Sequence, residues 1–251
     1  MVAIVALALA AAAALPAQNI EACESVPVYD PCEIVVELGA SDAAEHSTPV
    51  TDVELRAEYR SPKGGRTKVM SAFWDGGHRF VLRFSPDFEG RWDYRLISNV
   101  ANLDRRTGSF EAEPATTPGF IEVFNTRYFR HPLTNTPHFW LGDSLLGLAA
   151  MPWPEFEATA ERRSEQGFTH VRALAVPPLS ASRKAFSASG EPDIEHFRAL
   201  DRRVEHLHRL GIVTDLVLGN SGDELDELFP RLREKDRYIR YLCARYAAYS
   251  V

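Results

Sequence analysis

The segment DIEHFRALDRRVEHLHRLGIVTDLVLG, Asp193–Gly219, changes its hydrophobic period partway along. Phe197, Leu200, Val204, Leu207 and Leu210 recur at intervals of three and four, which puts them on one face of a helix. Asp193 stands where an N-cap carboxylate accepts from the free N–H groups of the first turn. Gly211 stands where a left-handed residue ends a helix. Beyond it, GIVTDLVLG (Gly211–Gly219) is a short β-branched run of strand length. A helix that leads directly into such a strand is the repeating element of a parallel sheet with crossover helices.

The same alternation extends both ways. HFWLGDS (His138–Ser144) reads as a short buried strand, with Trp140 inside it and Asp143 just after it. WPEFEATAERRSEQG (Trp153–Gly167) reads as a helix stopped by Gly167, and FTHVRALAV (Phe168–Val176) as the next strand. Near the end, Asp236 is placed as the cap of a last helix, with Ile239, Leu242, Cys243 and Tyr246 on its packed face. Three strand–helix units are visible.

Upstream the period is two. CEIVVEL, VELRAEY, KVMSAFW, RFVLRFS, RWDYRLIS and GSFEAE are six short runs between Cys32 and Glu113. In RFVLRF, Phe80, Leu82 and Phe84 face one way and Val81 and Arg83 the other. Asp75-Gly76-Gly77 and Pro86–Gly90 are turn signals between runs. Six half-buried antiparallel strands at this spacing predict a β-sandwich. The stretch EPATTPGF (Glu113–Phe120) separates the two periodicities and marks a domain boundary.

Val2–Leu15 is an apolar run followed by Pro16-Ala17-Gln18. Fourteen residues are too short for a bilayer core, which needs roughly 20, but fit the h-region of a signal peptide over residues 1–17. The positive flank of such a signal is missing, so a start further upstream is the alternative. The expected location is secreted or periplasmic. In an oxidising compartment Cys23 and Cys32 either close a small loop as a disulfide or remain two thiols near a strand start. The net charge of −7 disfavours a nucleic-acid partner. No sequence motif for a metal, nucleotide or other cofactor is present, and none is expected.

Several phrases, taken in order, carry a family resemblance. They are FWDGGHRFVLRFSPDFEGRWDYRLISN (Phe73–Asn99), LDRRTGSFE (Leu103–Glu111), HFWLGDS, QGFTHVR (Gln166–Arg172), FRALDRRVEHLHRLGIVTDLVL (Phe197–Leu218) and DRYIRYLCARYAAY (Asp236–Tyr249). Together they resemble the apiosidase-like glycoside hydrolases, barrel proteins that often carry an N-terminal β-sandwich of unknown function. The resemblance implies a multidomain chain. An antiparallel β-sandwich over residues 30–114 precedes the first half, about three βα units, of a (β/α)8 TIM-type barrel over residues 119–251. Length agrees: such a barrel takes roughly 250 residues, and Gly119–Val251 is 133.

Glycosidases of this kind use two carboxylates flanking the scissile bond, and barrel enzymes hold them at the carboxyl ends of the strands. The resemblance implies an acid/base after strand four and its partner on a later strand, so no catalytic residue is expected before Val251. Tyr249-Ser250-Val251 is where strand four would begin. The chain is therefore expected to be a fragment of a secreted glycoside hydrolase acting on plant or microbial polysaccharide, inactive alone. A non-catalytic carbohydrate-binding or accessory module is the alternative reading, and a product that does not fold past the linker is the third. Expected partners are an oligo- or polysaccharide and a complementing barrel half.

Four residues are candidates for substrate contact: Asp143, Trp140, Arg172 and Asn220. Asp143 either accepts hydrogen bonds from sugar hydroxyls or fixes a loop. Trp140 either stacks on a sugar or packs in the core. Arg172 either orients a carboxylate or pairs with a neighbouring strand, with Asp215 the candidate partner. Asn220 follows strand three, where relatives have an aromatic and acidic loop and this chain has Gly219-Asn220-Ser221-Gly222-Asp223. Asp143 and Asp215 are not read as a catalytic pair, because Asp215 sits too early in its strand. Trp74, Trp92 and Tyr94 are read as sandwich core in preference to a sugar platform. Residues 30–118 are expected to fold alone, and 119–251 to be unstable alone.

Overall fold

The structure is a computed structural model that describes residues 19–65, 67–178, 185–187 and 190–251. The expected signal peptide lies outside the described residues. Among those residues no helix is long and apolar enough to cross a membrane.

The first unit contains β1 (Asn19–Ala22), β2 (Ser25–Pro27), β3 (Cys32–Glu37), two short helices α1 (Ala40–Glu45) and α2 (Pro49–Asp52), β4 (Leu55–Arg60), β5 (Lys68–Ser71), β6 (Phe73–Trp74), β7 (Arg79–Phe84), β8 (Gly90–Ser98) and β9 (Thr107–Glu113). They form a four-stranded sheet, β1-β3-β7-β6, and a five-stranded sheet, β2-β9-β8-β4-β5. The pairings are antiparallel apart from β2 with β9. One core lies between the sheets, with Ile34, Val36, Phe80, Leu82 and Phe84 from the first and Tyr59, Trp92, Leu96 and Phe110 from the second. Tyr59 stacks on Phe84 at 4.0 Å between ring centres. Trp92 and Tyr94 are buried in this core.

Each of the six period-two runs forms strand, with two departures. The unit begins at β1, ahead of residue 30, because β1 pairs with β3 and extends that sheet. KVMSAFW is not one strand: β5 joins the five-stranded sheet and β6 the four-stranded one. Cys23 and Cys32 form a disulfide with their Cα atoms 5.7 Å apart, which ties the loop after β1 to the start of β3.

The boundary stretch is packed, not loose. Gly119 has φ +82°, and a Cβ there would meet the Tyr29 ring at 2.6 Å. A side chain at this position is excluded twice, by the backbone and by the neighbouring ring. A small antiparallel sheet follows that the sequence reading does not anticipate: β10 (Glu122–Phe124), β11 (Tyr128–His131) and β12 (Thr136–His138).

The second unit runs β13 (Gly142–Ser144), a 3₁₀ turn at Leu148–Ala150, α3 (Trp153–Glu165), β14 (His170–Leu174), α4 (Ile194–Arg209), β15 (Val213–Val217), α5 (Gly222–Leu228) and α6 (Leu232–Tyr246). The three strands are parallel, in the order β13-β14-β15. Asp193 caps α4 by accepting from the His196 N–H at 3.1 Å, and Gly211 follows that helix at φ +73°. Val171 and Ala173 turn towards the helix layer, where Phe156, Phe197, Leu200, Val204 and Leu207 complete a second core. The Ser250 carbonyl accepts from the Thr214 N–H at 2.9 Å, so the chain after α6 comes alongside β15.

Three local expectations are corrected. HFWLGDS is not one buried strand: only Gly142–Ser144 pairs with β14, and Phe139 and Trp140 are 75% and 49% exposed. The last helix starts at Leu232 and is capped through Arg231 and Glu234; Asp236 lies inside it and pairs with Arg240. Its buried face is Tyr238, Tyr241, Leu242, Arg245 and Tyr246, while Ile239 and Cys243 are exposed. The helix is rotated because Arg245 points inward to meet buried acids.

Those acids come from both units. Arg245, 1% exposed, reaches Asp201 of α4 at 2.8 Å and Asp75 of the first unit at 3.0 Å. Arg83 of β7 reaches Asp201 at 3.3 Å and Glu33 at 2.7 Å, and donates to the Arg245 carbonyl. Arg198 of α4 meets Asp75 at 2.9 Å. Both Arg83 and Arg245 lie over the Phe73 ring, at 4.9 and 4.6 Å. Burial works against the charge on each of these two arginines. Tyr249, Asp201 and Glu33 at Arg83, and Asp201 and Tyr241 at Arg245, outweigh it, and both guanidinium groups stay above their ordinary pKa range. Phe73 and Val81 of the first unit belong to the core of the second. The face of β7 bearing Val81 and Arg83 is thus an internal joint.

Candidate functional site

In a parallel sheet with crossover helices, loops at the carboxyl ends of the strands form the usual working face. Here those loops follow Ser144, Leu174 and Val217. Two side chains from the helix layer hold the first residue or so of the second and third loops. The His196 ring nitrogen Nε2 donates to the Ala175 carbonyl at 2.9 Å, and the Tyr238 hydroxyl donates to the Leu218 carbonyl. Asn220 is exposed in the turn after β15, next to Ser221, which caps α5. Sequence reasoning missed His196 and Tyr238, although each sits on the buried face of its helix.

The other candidates lie elsewhere. Asp143 is inside β13, not after it, and its register partner Val171 faces the helix layer. Its carboxylate accepts from Arg163 Nε of α3 at 2.6 Å and from the Ser144 N–H at 2.7 Å. The Arg163 bond holds its pKa below the usual carboxylate range, with the Ser144 amide adding to the effect. A carboxyl group held ionised in this way is a poor proton donor. Arg172 and Asp215 are register partners on β14 and β15, joined at 2.7 Å. They point to the side of the sheet opposite the helices, since Ala173 and Thr214 on the alternate positions are buried.

Trp140 precedes β13 and lies at the amino ends of the strands. It stacks on His170, ring centres 3.6 Å apart and planes within 10°. With Phe120, His170, Asp215, Tyr249 and Ser250 it lines a cleft of 470 Å³. Trp140 is therefore neither inside a strand nor grouped with Asn220. The structure brings Trp140 and Asp215 to one cleft, sets Arg172 against Asp215, and leaves Asp143 and Asn220 apart from it. Among the described residues, the carboxylates on the three parallel strands are Asp143 and Asp215, and each is tied to an arginine. No cluster of three or more metal-binding side chains occurs among the described residues.

Comparison with known proteins gives consistent results. Residues 124–251 match a family described as "Apiosidase-like, catalytic domain", and residues 25–99 match "Domain of unknown function (DUF5060)". No curated protein matches. The crystal structure of a candidate glycoside hydrolase from Bacteroides vulgatus ATCC 8482 is similar at a TM-score of 0.74 and 24% identity, over 91% of this chain and 48% of that one. This chain therefore spans about half the length of that structure, and the likeness is one of fold. A glycoside hydrolase family 5 protein from the same bacterium aligns at a TM-score of 0.47 and 17% identity, over 53% of this chain and 31% of its own.

Proposed function

The chain belongs to the apiosidase-like family, which is carbohydrate-active, and we propose that it is the N-terminal part of an exported glycoside hydrolase. On this reading the two packed sheets are a β-sandwich and the parallel sheet opens a TIM-type barrel. The substrate is a plant or microbial polysaccharide. The observation that carries the reading is the state of the strand carboxylates. Asp143 is bound to Arg163 and Asp215 to Arg172, so neither is a free acid or base. The catalytic pair then belongs to later strands, and the 251 residues alone do not cleave glycosides. The Cys23–Cys32 disulfide supports export, since such bonds persist in oxidising compartments. The inner face of β15, bearing Asp215, and the edge that Ser250 now lies along are where a complementing barrel half would dock.

One observation favours an accessory role for the sandwich. Trp92 and Tyr94 are buried and unavailable to a sugar, while Asp75, Arg83 and Phe73 serve the joint to the second unit. On this reading the sandwich serves as a brace for the second unit. The test is reducing-sugar release from a panel of xylan, mannan, arabinan and pectin. The chain alone is expected to give none above blank. Release that disappears in Asp143→Asn or Asp215→Asn would refute the reading.

A further inference from the structure

Three histidines from three strands make one hydrogen-bonded chain that nothing above assigns. His131 Nδ1 lies 2.8 Å from the Gly119 carbonyl. His131 Nε2 lies 3.0 Å from His138 Nδ1, and His138 Nε2 lies 2.8 Å from His170 Nε2. A carbonyl only accepts, so the proton order follows from that end. His131 carries its proton on Nδ1 and accepts on Nε2. His138 must then donate from Nδ1 and accept on Nε2. His170 must donate from Nε2, which leaves its Nδ1 a bare acceptor, buried and without a partner.

The chain crosses a boundary. His131 and His138 belong to β11 and β12, while His170 opens β14. The linking backbone bonds lie beside it: Thr169 N–H and His170 N–H both donate to the Leu141 carbonyl, at 2.8 and 3.1 Å, and Leu141 N–H donates to Thr169 Oγ1 at 3.0 Å. The Trp140 ring closes over His170 and meets Phe129 of β11 at 5.3 Å.

We propose that His131, His138 and His170 form a neutral, one-directional latch that holds the β10–β12 sheet on the amino ends of the parallel strands and opens in acid. A proton on His138 removes the acceptor that His170 needs and sets two donors nose to nose. A proton on His170 Nδ1 breaks no bond but places a charge 2% exposed to solvent. The groups facing the chain are few. Asp215 of β15 favours a charged His170, but that carboxylate is engaged by Arg172. Tyr249 lines the far side of the cleft. On the small sheet itself, Arg130 is paired with Glu122.

Burial, with His131 adding to it, lowers the pKa of His138; burial, with His138 adding to it, lowers that of His170 to about 4. A released histidine titrates near 6.5, so between these values the open state binds more protons. Stability of the latch is full above about pH 6.5 and is lost as pH falls towards 4. For His170 alone the closed-to-open ratio drops about 100-fold between pH 7 and pH 4.

The inference does not depend on the enzymatic reading, and its test reads rings and amides, not sugar release. Long-range nitrogen NMR of the full chain at pH 7 should show His131 and His138 protonated on Nδ1 and His170 on Nε2. Amide exchange at Leu141, Thr169 and His170, corrected for intrinsic rates, should lose about 100-fold in protection at pH 4. His170→Gln keeps a donor for His138 but cannot itself titrate, and should shrink that pH response to the smaller part that His138 carries. A different tautomer at any of the three rings, or equal protection at pH 7 and pH 4 in the unmodified chain, would overturn the latch.

Discussion

Replacing Arg245 by methionine is expected to lower stability by about 3–5 kcal/mol, the usual cost of removing one partner from a buried ionic cluster. The guanidinium carries two carboxylates, Asp75 and Asp201, and also donates to the Tyr241 hydroxyl at 2.9 Å. Methionine fills similar volume over Phe73 but leaves Asp201 and Asp75 short of a counter-charge in a nearly dry site. The remaining arginines do not make up the loss. Arg198 reaches Asp75 from a largely exposed position, and Arg83 is shared with Glu33. Lysine at 245 should recover only part of the loss, because an ammonium cannot fork between two acids. Urea unfolding followed by circular dichroism gives the number. A loss below about 1 kcal/mol, the range of exposed ion pairs, would mean the cluster is not a structural joint.

The second large effect concerns the two halves taken apart. Residues 119–251 alone should fail to fold. They lose Phe73 and Val81 from their core, and Arg245 and Asp201 lose Asp75 and Arg83. The sequence pattern leads one to expect residues 30–118 to fold alone, and the structure weakens that expectation on two counts. That segment omits β1, which pairs with the edge of β3, and Cys23, which bonds Cys32. It also bares the second face of β7, where Val81 and Arg83 are buried in the whole chain. Residues 19–118 should therefore be soluble but markedly less stable than the full chain. Expression of each half, with circular dichroism and amide dispersion in NMR, distinguishes the outcomes. A folded 119–251 segment would remove the case for a brace.

The sequence carried most strands of the first unit and the last two of the second. Alternation in CEIVVEL and RWDYRLIS, and the cap-to-glycine frame Asp193–Gly211, needed no tertiary context. It failed where tertiary contact overrides local pattern. Val81 and Arg83 read as the outward face of a half-buried strand, because nothing local says that a helix layer covers them. Arg245 draws no notice for the same reason: phasing the last helix about its apolar residues puts Cys243 inside, where the structure has it exposed. A lone arginine on the buried side of a helix becomes visible only when its acids are placed, and Asp75 is 170 residues away. At the site, the pairing of Arg172 with Asp215 was legible as one of two alternatives. Asp143 was not, since its partner Arg163 lies on the following helix. The histidine chain left no local signal at all: His131, His138 and His170 share no spacing that sequence rules reward.

Calorimetry of the intact 251-residue chain tests most directly whether the first unit braces the second. One heat-absorption peak is predicted, with calorimetric and van't Hoff enthalpies in agreement, and in Arg245→Met that single peak should move down as a whole. Two resolved peaks, with only the later-sequence unit shifted by the substitution, would contradict it.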